Sequence, residues 1–193
     1  MKFDSFVSHA GELAEQLINS SAPDDIAYLQ KLQASLRTVV DIPKQRAESD
    51  TLKNGGASWT WSTVVDAMPL YGIQLNLTAG AALPTHDHRG YIGLVLVLEG
   101  QLLVKSYNLE SIDENELLLS DAGEQILSPG ESIGVPLKSA NIHTLQDVGG
   151  GSRIFDMFTF LDGNGAGDSH EIDITEEKNA DGLIMASYTG RIL

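Results

Sequence analysis

Two histidines separated by one residue, and a third histidine further along the chain, are the residues of this sequence best suited to bind a metal ion. His86 and His88 flank Asp87, and His143 stands in a later apolar segment. Residues two apart in a β-strand project to the same face, so both imidazoles of such a pair can reach one ion. Imidazole is a common ligand of divalent transition metals. An H-x-H pair also occurs as two exposed or hydrogen-bonded histidines, so the pair alone leaves both interpretations open.

The composition excludes several other kinds of chemistry. The chain has 193 residues, 42% hydrophobic and 20% charged, which is typical of one globular domain. It contains no cysteine, which excludes disulfides, thiolate ligands and a cysteine nucleophile. The formal net charge of −15 argues against nucleic acid or an anionic membrane as a partner. With no signal peptide and no long apolar run in view, we expect a cytoplasmic protein.

The elements that must position these histidines are short strands behind a helical segment. Residues 1–43 carry apolar side chains at helical spacing, and we expect helices packed on the outside of the remaining chain. Residues 57–193 show alternating runs broken by Gly, Pro, Asn and Asp, such as 70–77 and 94–98. This pattern predicts a mainly β sandwich or barrel, with residues 183–193 as an edge strand.

Glycines at fixed distances extend the histidine pair into a longer motif. Gly80, His86, His88 and Gly100 resemble the first motif of the cupin superfamily, G-x5-H-x-H followed by a later glycine. The glutamate that usually completes this motif is replaced here by Gly93.

A looser second motif accompanies the first. Gly123, Pro129-Gly130 and His143 resemble the second cupin motif with a longer final interval. The resemblance spans about residues 70–160. It implies a cupin fold, a double-stranded β-helix or jelly-roll barrel, with one metal ion on His86, His88 and His143.

The missing glutamate leaves three neutral histidines and no carboxylate ligand. Glu99 lies six residues beyond Gly93, roughly 20 Å along an extended strand, which is too far to replace it. This ligand set resembles that of the thiol dioxygenases, cupins that include the cysteine, 3-mercaptopropionate and cysteamine dioxygenases and the plant cysteine oxidases. Segments 83–90, 97–107 and 141–143 resemble conserved stretches of this group, as does Phe155-Asp156-Met157.

The resemblance implies a chemistry without identifying a natural substrate. It implies Fe(II) on the three histidines and oxidation of a small thiol to its sulfinate by O2. The Ser-His-Tyr triad and the P-P-Y ending of two subgroups are absent. Zn, Ni or Mn are other possible occupants. Another metallocupin oxygenase acting on a non-thiol molecule, or a non-enzymatic small-molecule or metal-binding cupin, stays open as an alternative. A homodimer is also possible.

Two further residues are candidates for a catalytic role. Arg89 directly follows the ligand pair and is a candidate anchor for a substrate carboxylate, with a solvated arginine as the alternative. Asp156 is a candidate acceptor for the N–H of a ligand imidazole. Other side chains would line a cavity or pack the core: Trp59, Trp61, Tyr71, Leu75, Leu77, Leu96 and Phe158. His170 is expected at the surface.

Overall fold

The computed structural model describes residues 1–43, 50–54, 57–113 and 116–191. Two helices come first, α1 (Phe3–Ile18) and α2 (Asp25–Leu36). They are followed by β1 (Asp50–Asn54), β2 (Ala57–Ala67), β3 (Leu70–Leu77), β4 (Ala82–His86), β5 (Tyr91–Glu99), β6 (Leu102–Asp113), β7 (Glu116–Leu127), β8 (Ser132–Val135), β9 (Ile142–Asp147), β10 (Ser152–Phe160), β11 (His170–Lys178) and β12 (Ile184–Arg191).

The strands form two sheets with the strand order of a jelly roll. The first sheet has the order β1-β2-β3-β10-β5-β8, and the second is β11-β12-β7-β6-β9-β4, closed on itself. From β3 to β10 the chain changes sheet at every step except the β6–β7 hairpin, so β3-β10-β5-β8 faces β4-β9-β6-β7. This is the double-stranded β-helix, and the predicted mainly β jelly roll with N-terminal helices is confirmed.

Both helices pack on the outer face of the first sheet. In α1 the buried positions recur at helical spacing: Phe3, Phe6, Ala10, Ala14 and Leu17. Strand alternation sends one set of sheet residues toward the helices, namely Leu70, Leu94, Leu96, Phe155 and Met157. None of the described helices has the length and apolarity needed to cross a bilayer.

The opposite set of side chains fills the interior between the sheets. Leu75, Val95, Val97 and Ile154 point inward and meet Leu102, Val104 and Leu145 of the second sheet. The interior therefore holds a packed apolar core, and His143 lies on β9 between Leu145 of this core and Ile142.

The C-terminal strand is not the edge strand that its position in the chain suggests. β12 lies between β11 and β7 and pairs with both. β11 in turn meets β4 through the pair Glu171 and His86, which closes the second sheet. A separate small core fills this closed part, formed by Tyr107, Leu117, Leu119, Ile142, Ile172 and Ala186.

Candidate metal centre

Strand pairing brings the three histidines together. His86 is the last residue of β4, and His143 lies directly opposite it on the antiparallel neighbour β9. His88 follows two residues later, in the connection to β5. Extended backbone gives His86 and His88 the same facing direction, as the H-x-H spacing predicts.

The three imidazoles form one compact, buried group. One nitrogen from each ring lies within 4.8 Å of the others. The ring centroids are 4.4 Å apart for His86 and His143, 4.9 Å for His88 and His143, and 5.4 Å for His86 and His88. Ligand nitrogens about 2.1 Å from one ion are at most about 4.2 Å apart. The three nitrogens therefore lie close to the spacing that a single ion requires.

The protonation state of the group suits a metal ligand. Burial lowers the pKa of His86, and burial together with the neighbouring imidazoles lowers the pKa of His88 and His143 well below the usual value. All three rings are therefore neutral at pH 7, the form that binds metal ions. His86 Nδ1–H donates to the Pro84 carbonyl oxygen at 2.8 Å, which leaves Nε2 with its lone pair free.

Unpartnered nitrogen atoms indicate that the group fits an ion. His88 Nδ1 and His143 Nε2 are buried and have no hydrogen-bond partner among the described residues. Buried polar atoms without a partner are uncommon because they cost free energy. Three convergent neutral imidazoles, two with orphaned nitrogens, make a donor set suited to a divalent transition metal.

A small cavity of about 80 Å³ opens beside the histidines inside the jelly roll. Since one water needs only about 10–15 Å³ of such space, the cavity suits a ligand of a few non-hydrogen atoms. The wall is mostly aromatic and aliphatic: Trp59, Trp61, Tyr71, Ile73, Leu75, Leu83, His86, His88, Tyr91, Asp156 and Phe158. Of the residues expected there, Leu77 lies in the packed core instead, and Leu96 faces the helices.

Asp156 places a buried carboxyl group in this cavity wall. Burial raises its pKa to about 8, so the group is mostly protonated at pH 7. Its Oδ1 atom has no hydrogen-bond partner among the described residues, and the His86 N–H is already bonded to Pro84. The expected bond from a ligand imidazole is therefore not seen at Oδ1, and the carboxyl group faces the cavity itself.

Arg89 lies outside the cavity. Its Nε donates to Asp87 Oδ2 at 2.8 Å, and its guanidinium group lies 4.7 Å from the centre of the Tyr188 ring. Its side chain is 45% exposed and lines a groove of about 430 Å³ on the other side of His88. The geometry agrees with the solvated alternative, because Arg89 and Asp87 both project away from the histidine pair.

Asp87 attaches this loop to the C-terminal segment. Its Oδ1 accepts the His170 backbone N–H at 2.8 Å, and its backbone carbonyl accepts the Ser169 hydroxyl at 2.8 Å. His170 is not the surface residue that was expected: its side chain is 18% exposed and lies between Asp87 and Asp168.

Three residues contact His88 in ways that the sequence did not predict. Tyr91 stacks on its ring with centroids 4.5 Å apart, Asn141 bonds to its backbone, and Gly93 lies against its ring edge. Resemblance to conserved segments drew attention to Asn141 and Gly93, but no sequence signal marks the stacking of Tyr91.

Comparisons with known proteins add a likeness in fold. No protein-family model matches the chain, and no curated protein matches it. KdgF from Halomonas sp. is 20% identical over 52% of this chain and 77% of its own, with a TM-score of 0.41. An RmlC-like cupin from Shewanella frigidimarina NCIMB 400 is 20% identical over 58% of this chain and 84% of its own, also with a TM-score of 0.41. The Schizosaccharomyces pombe Cnp3 cupin domain is 15% identical over 53% of this chain and 64% of its own, with a TM-score of 0.42. At TM-scores below 0.5, the jelly-roll assignment rests on the strand order instead.

Proposed function

We propose that this protein is an Fe(II) dioxygenase that oxidises a small thiol to its sulfinate. The observation that carries the proposal is a group of three buried, neutral imidazoles, two of which line a small apolar cavity, with no carboxylate ligand among them. This is the ligand set of the thiol dioxygenases that the sequence resembles.

At the usual place of a carboxylate ligand, the packing of Gly93 against His88 leaves no room for a side chain. A Cβ atom on Gly93 would lie 2.9 Å from Cε1 of His88, closer than real contacts allow. Glu99, the next acidic residue on β5, is 68% exposed and paired with Arg153. Three imidazoles therefore leave coordination positions open for small molecules.

A bound ferrous ion would supply the redox chemistry that adds both atoms of O2 to a thiolate sulfur, giving R–SO2⁻ from R–S⁻. The chain itself orients the substrate and excludes water. Much of the cavity wall is aromatic, which favours the exclusion of water: Trp59, Trp61, Tyr71, Tyr91 and Phe158. A dry site strengthens each polar interaction within it.

The polar groups of the cavity wall favour one class of thiol. Among the described residues that line it are the Asp156 carboxyl group and no lysine or arginine. A substrate carboxylate would lose its hydration without gaining a cationic partner, which is costly. An ammonium group or a neutral polar group could instead bond to Asp156 and lie against the aromatic rings. We therefore favour a small aminothiol over a mercaptocarboxylate.

An oxygen-uptake assay tests this proposal. Protein loaded anaerobically with Fe²⁺ is given cysteamine, cysteine, 3-mercaptopropionate or a thiol peptide under ¹⁸O2. The mass of the product is then measured by mass spectrometry. We expect a sulfinate with two ¹⁸O atoms, formed fastest from cysteamine, and no product from His143→Ala. Arg89→Ala serves as the control and should leave KM unchanged for every thiol. If none of the thiols is oxidised, the dioxygenase proposal fails.

A further inference from the structure

The side chain of Asn141 bonds to both backbone groups of His88. Asn141 Oδ1 accepts the His88 N–H at 2.7 Å, and Asn141 Nδ2 donates to the His88 carbonyl oxygen at 3.0 Å. The same Nδ2 donates to the Leu137 carbonyl oxygen at 2.7 Å. One amide therefore makes three short hydrogen bonds in a partly buried place.

This arrangement supports the one histidine of the three that no strand holds. His86 belongs to β4 and His143 to β9, and their ladders fix the backbone of both. His88 lies between β4 and β5. The amide of Asn141 takes the place of a neighbouring strand there, because it offers an acceptor and a donor side by side as a peptide group does.

Asn141 also links His88 to the third ligand. It is two residues before His143 and directly precedes β9. A movement of His88 relative to His143 would have to break the bonds at 2.7 and 3.0 Å. On its other side, the His88 ring is stacked on Tyr91 and packed against Gly93, so the ring and the backbone are both held.

We infer that Asn141 is a positioning residue of the metal centre, which sets metal affinity by fixing His88 opposite His143. The inference rests on the three-histidine site of the proposed function but not on its thiol chemistry. Alanine at position 141 removes the acceptor and both donors, whereas aspartate keeps the acceptor for the His88 N–H and loses the donors.

The test is a titration of the folded, metal-free protein with Co²⁺. Groups that orient metal ligands change affinity by about 10- to 100-fold when removed, so we expect Asn141→Ala to raise the Kd by tenfold or more. Asn141→Asp should fall between Asn141→Ala and the wild type. The matched control is Asn108→Ala, since Asn108 Oδ1 accepts the Ala140 N–H at 2.8 Å in the same loop without touching His88. Its Kd should stay within about twofold of the wild type.

The visible spectrum of the bound Co²⁺ separates positioning from general loss of stability. A displaced His88 changes the ligand field, so the Asn141→Ala complex should differ in band position or intensity from both the wild type and Asn108→Ala. Equal Kd values and spectra for Asn141→Ala and Asn108→Ala would overturn the inference. If Asn141→Ala does not fold, a wild-type Kd and spectrum in Asn141→Asp overturns it instead. A wild type that binds no Co²⁺ also overturns it, whereas one that binds Co²⁺ but oxidises no thiol refutes only the proposed function.

Discussion

The imidazole of His88 lies in a narrow space between the Tyr91 ring and the backbone of Gly93. A Cβ atom at Gly93 would approach Cε1 of His88 to 2.9 Å and Nδ1 to 3.3 Å. The ring lies deep in the protein, so it cannot swing into solvent to relieve this contact. The absence of a side chain at Gly93 is thus required for the His88 ring to pack in this position.

Gly93→Ala should therefore weaken metal binding. The added methyl group must push the His88 ring out of place, and we expect about a tenfold rise in the Kd for Co²⁺. The control is Gly11→Ala, because a Cβ atom there meets nothing within 4 Å, and its Kd should match the wild type. An unchanged Kd in Gly93→Ala would show that the ring is not held as described.

Asp156 should make the metal-free protein less stable as the pH rises. Burial raises its folded-state pKa from 3.8 to about 8. Its contribution to stability is therefore complete below about pH 4 and is lost as the pH rises towards 8. The buried histidines, whose folded-state pKa values are lowered, act in the opposite sense and destabilise as the pH falls below about 6.5.

Comparing Asp156→Asn with the wild type isolates the carboxyl group. Asparagine has nearly the same shape and does not ionise, so the free energy of unfolding of the variant should equal that of the wild type near pH 4. Near pH 8 its free energy of unfolding should exceed that of the wild type by up to about 5 kcal/mol. Urea denaturation across this range measures the difference, and a difference that does not grow with pH would refute the buried, protonated carboxyl group.

The sequence predicted the convergence of the three histidines better than the roles of their neighbours. Period-2 alternation places His86 and His88 on one face, and the motif resemblance singles out His143. No comparable rule exists for Arg89, because its direction depends on how the loop turns after β4 and on the Asp87 carboxylate that binds it. Whether Asp156 bonds to a ligand or faces the cavity likewise depends on distances between strands far apart in sequence.

The C-terminal hairpin of β11 and β12 is hydrogen-bonded to the loop that follows β4. Asp87 accepts the His170 N–H, and the backbones of Arg89 and Asp168 exchange two hydrogen bonds of 2.9 Å. β11 pairs with β4 through Glu171 and His86. Closure of the second sheet therefore relies on the Asp87 carboxylate as well as on its backbone bridges.

Asp87→Ala should loosen this attachment. It leaves the His170 N–H and the Arg89 side chain without their acceptor, a loss of about 1–3 kcal/mol. Peptides covering 168–178 should exchange their amide hydrogens faster in hydrogen-exchange mass spectrometry. Peptides from α1 should be unaffected, because α1 packs on the other sheet. Unchanged exchange in 168–178 would mean that the backbone bridges alone hold the hairpin.

Strand content was predictable from alternation, but the neighbours of the last strands were not. Residues 183–193 were expected to form an edge strand. An edge strand and a strand paired on both sides can share the same alternating pattern, so the sequence does not distinguish them. The place of β12 between β11 and β7 depends on how far β6 and β7 extend beyond the jelly roll. Such lengths are set by tertiary packing rather than by local sequence.

At the scale of the whole molecule, the first sheet lies between the N-terminal helices and the cavity beside the histidines. Its outer face packs on the helices, and its inner face lines the cavity beside the histidines. Buried residues of the helices, such as Phe6 and Leu32, contribute to the larger apolar core. The helices should therefore stabilise the barrel without touching the metal ligands.

Phe6→Ala tests this separation. Removing a fully buried phenylalanine costs about 3–5 kcal/mol, so the free energy of unfolding in urea should fall by that amount. The Kd for Co²⁺ should stay at the wild-type value while the protein is folded. Ile26→Ala is the control, since Ile26 is 52% exposed on α2 and should change stability by less than about 0.5 kcal/mol. A large loss of affinity in folded Phe6→Ala would contradict the separation.

The central claim is that His86, His88 and His143 bind a single divalent metal ion. The most direct measurement is an anaerobic Fe²⁺ titration of metal-free protein, followed by calorimetry and by metal analysis of the dialysed complex. We predict one Fe²⁺ per chain for the wild type and a loss of this binding in His143→Ala, which removes a ligand but leaves the strand pairing of β4 and β9. No bound Fe²⁺ in the wild type, or equal binding in His143→Ala, would contradict the account.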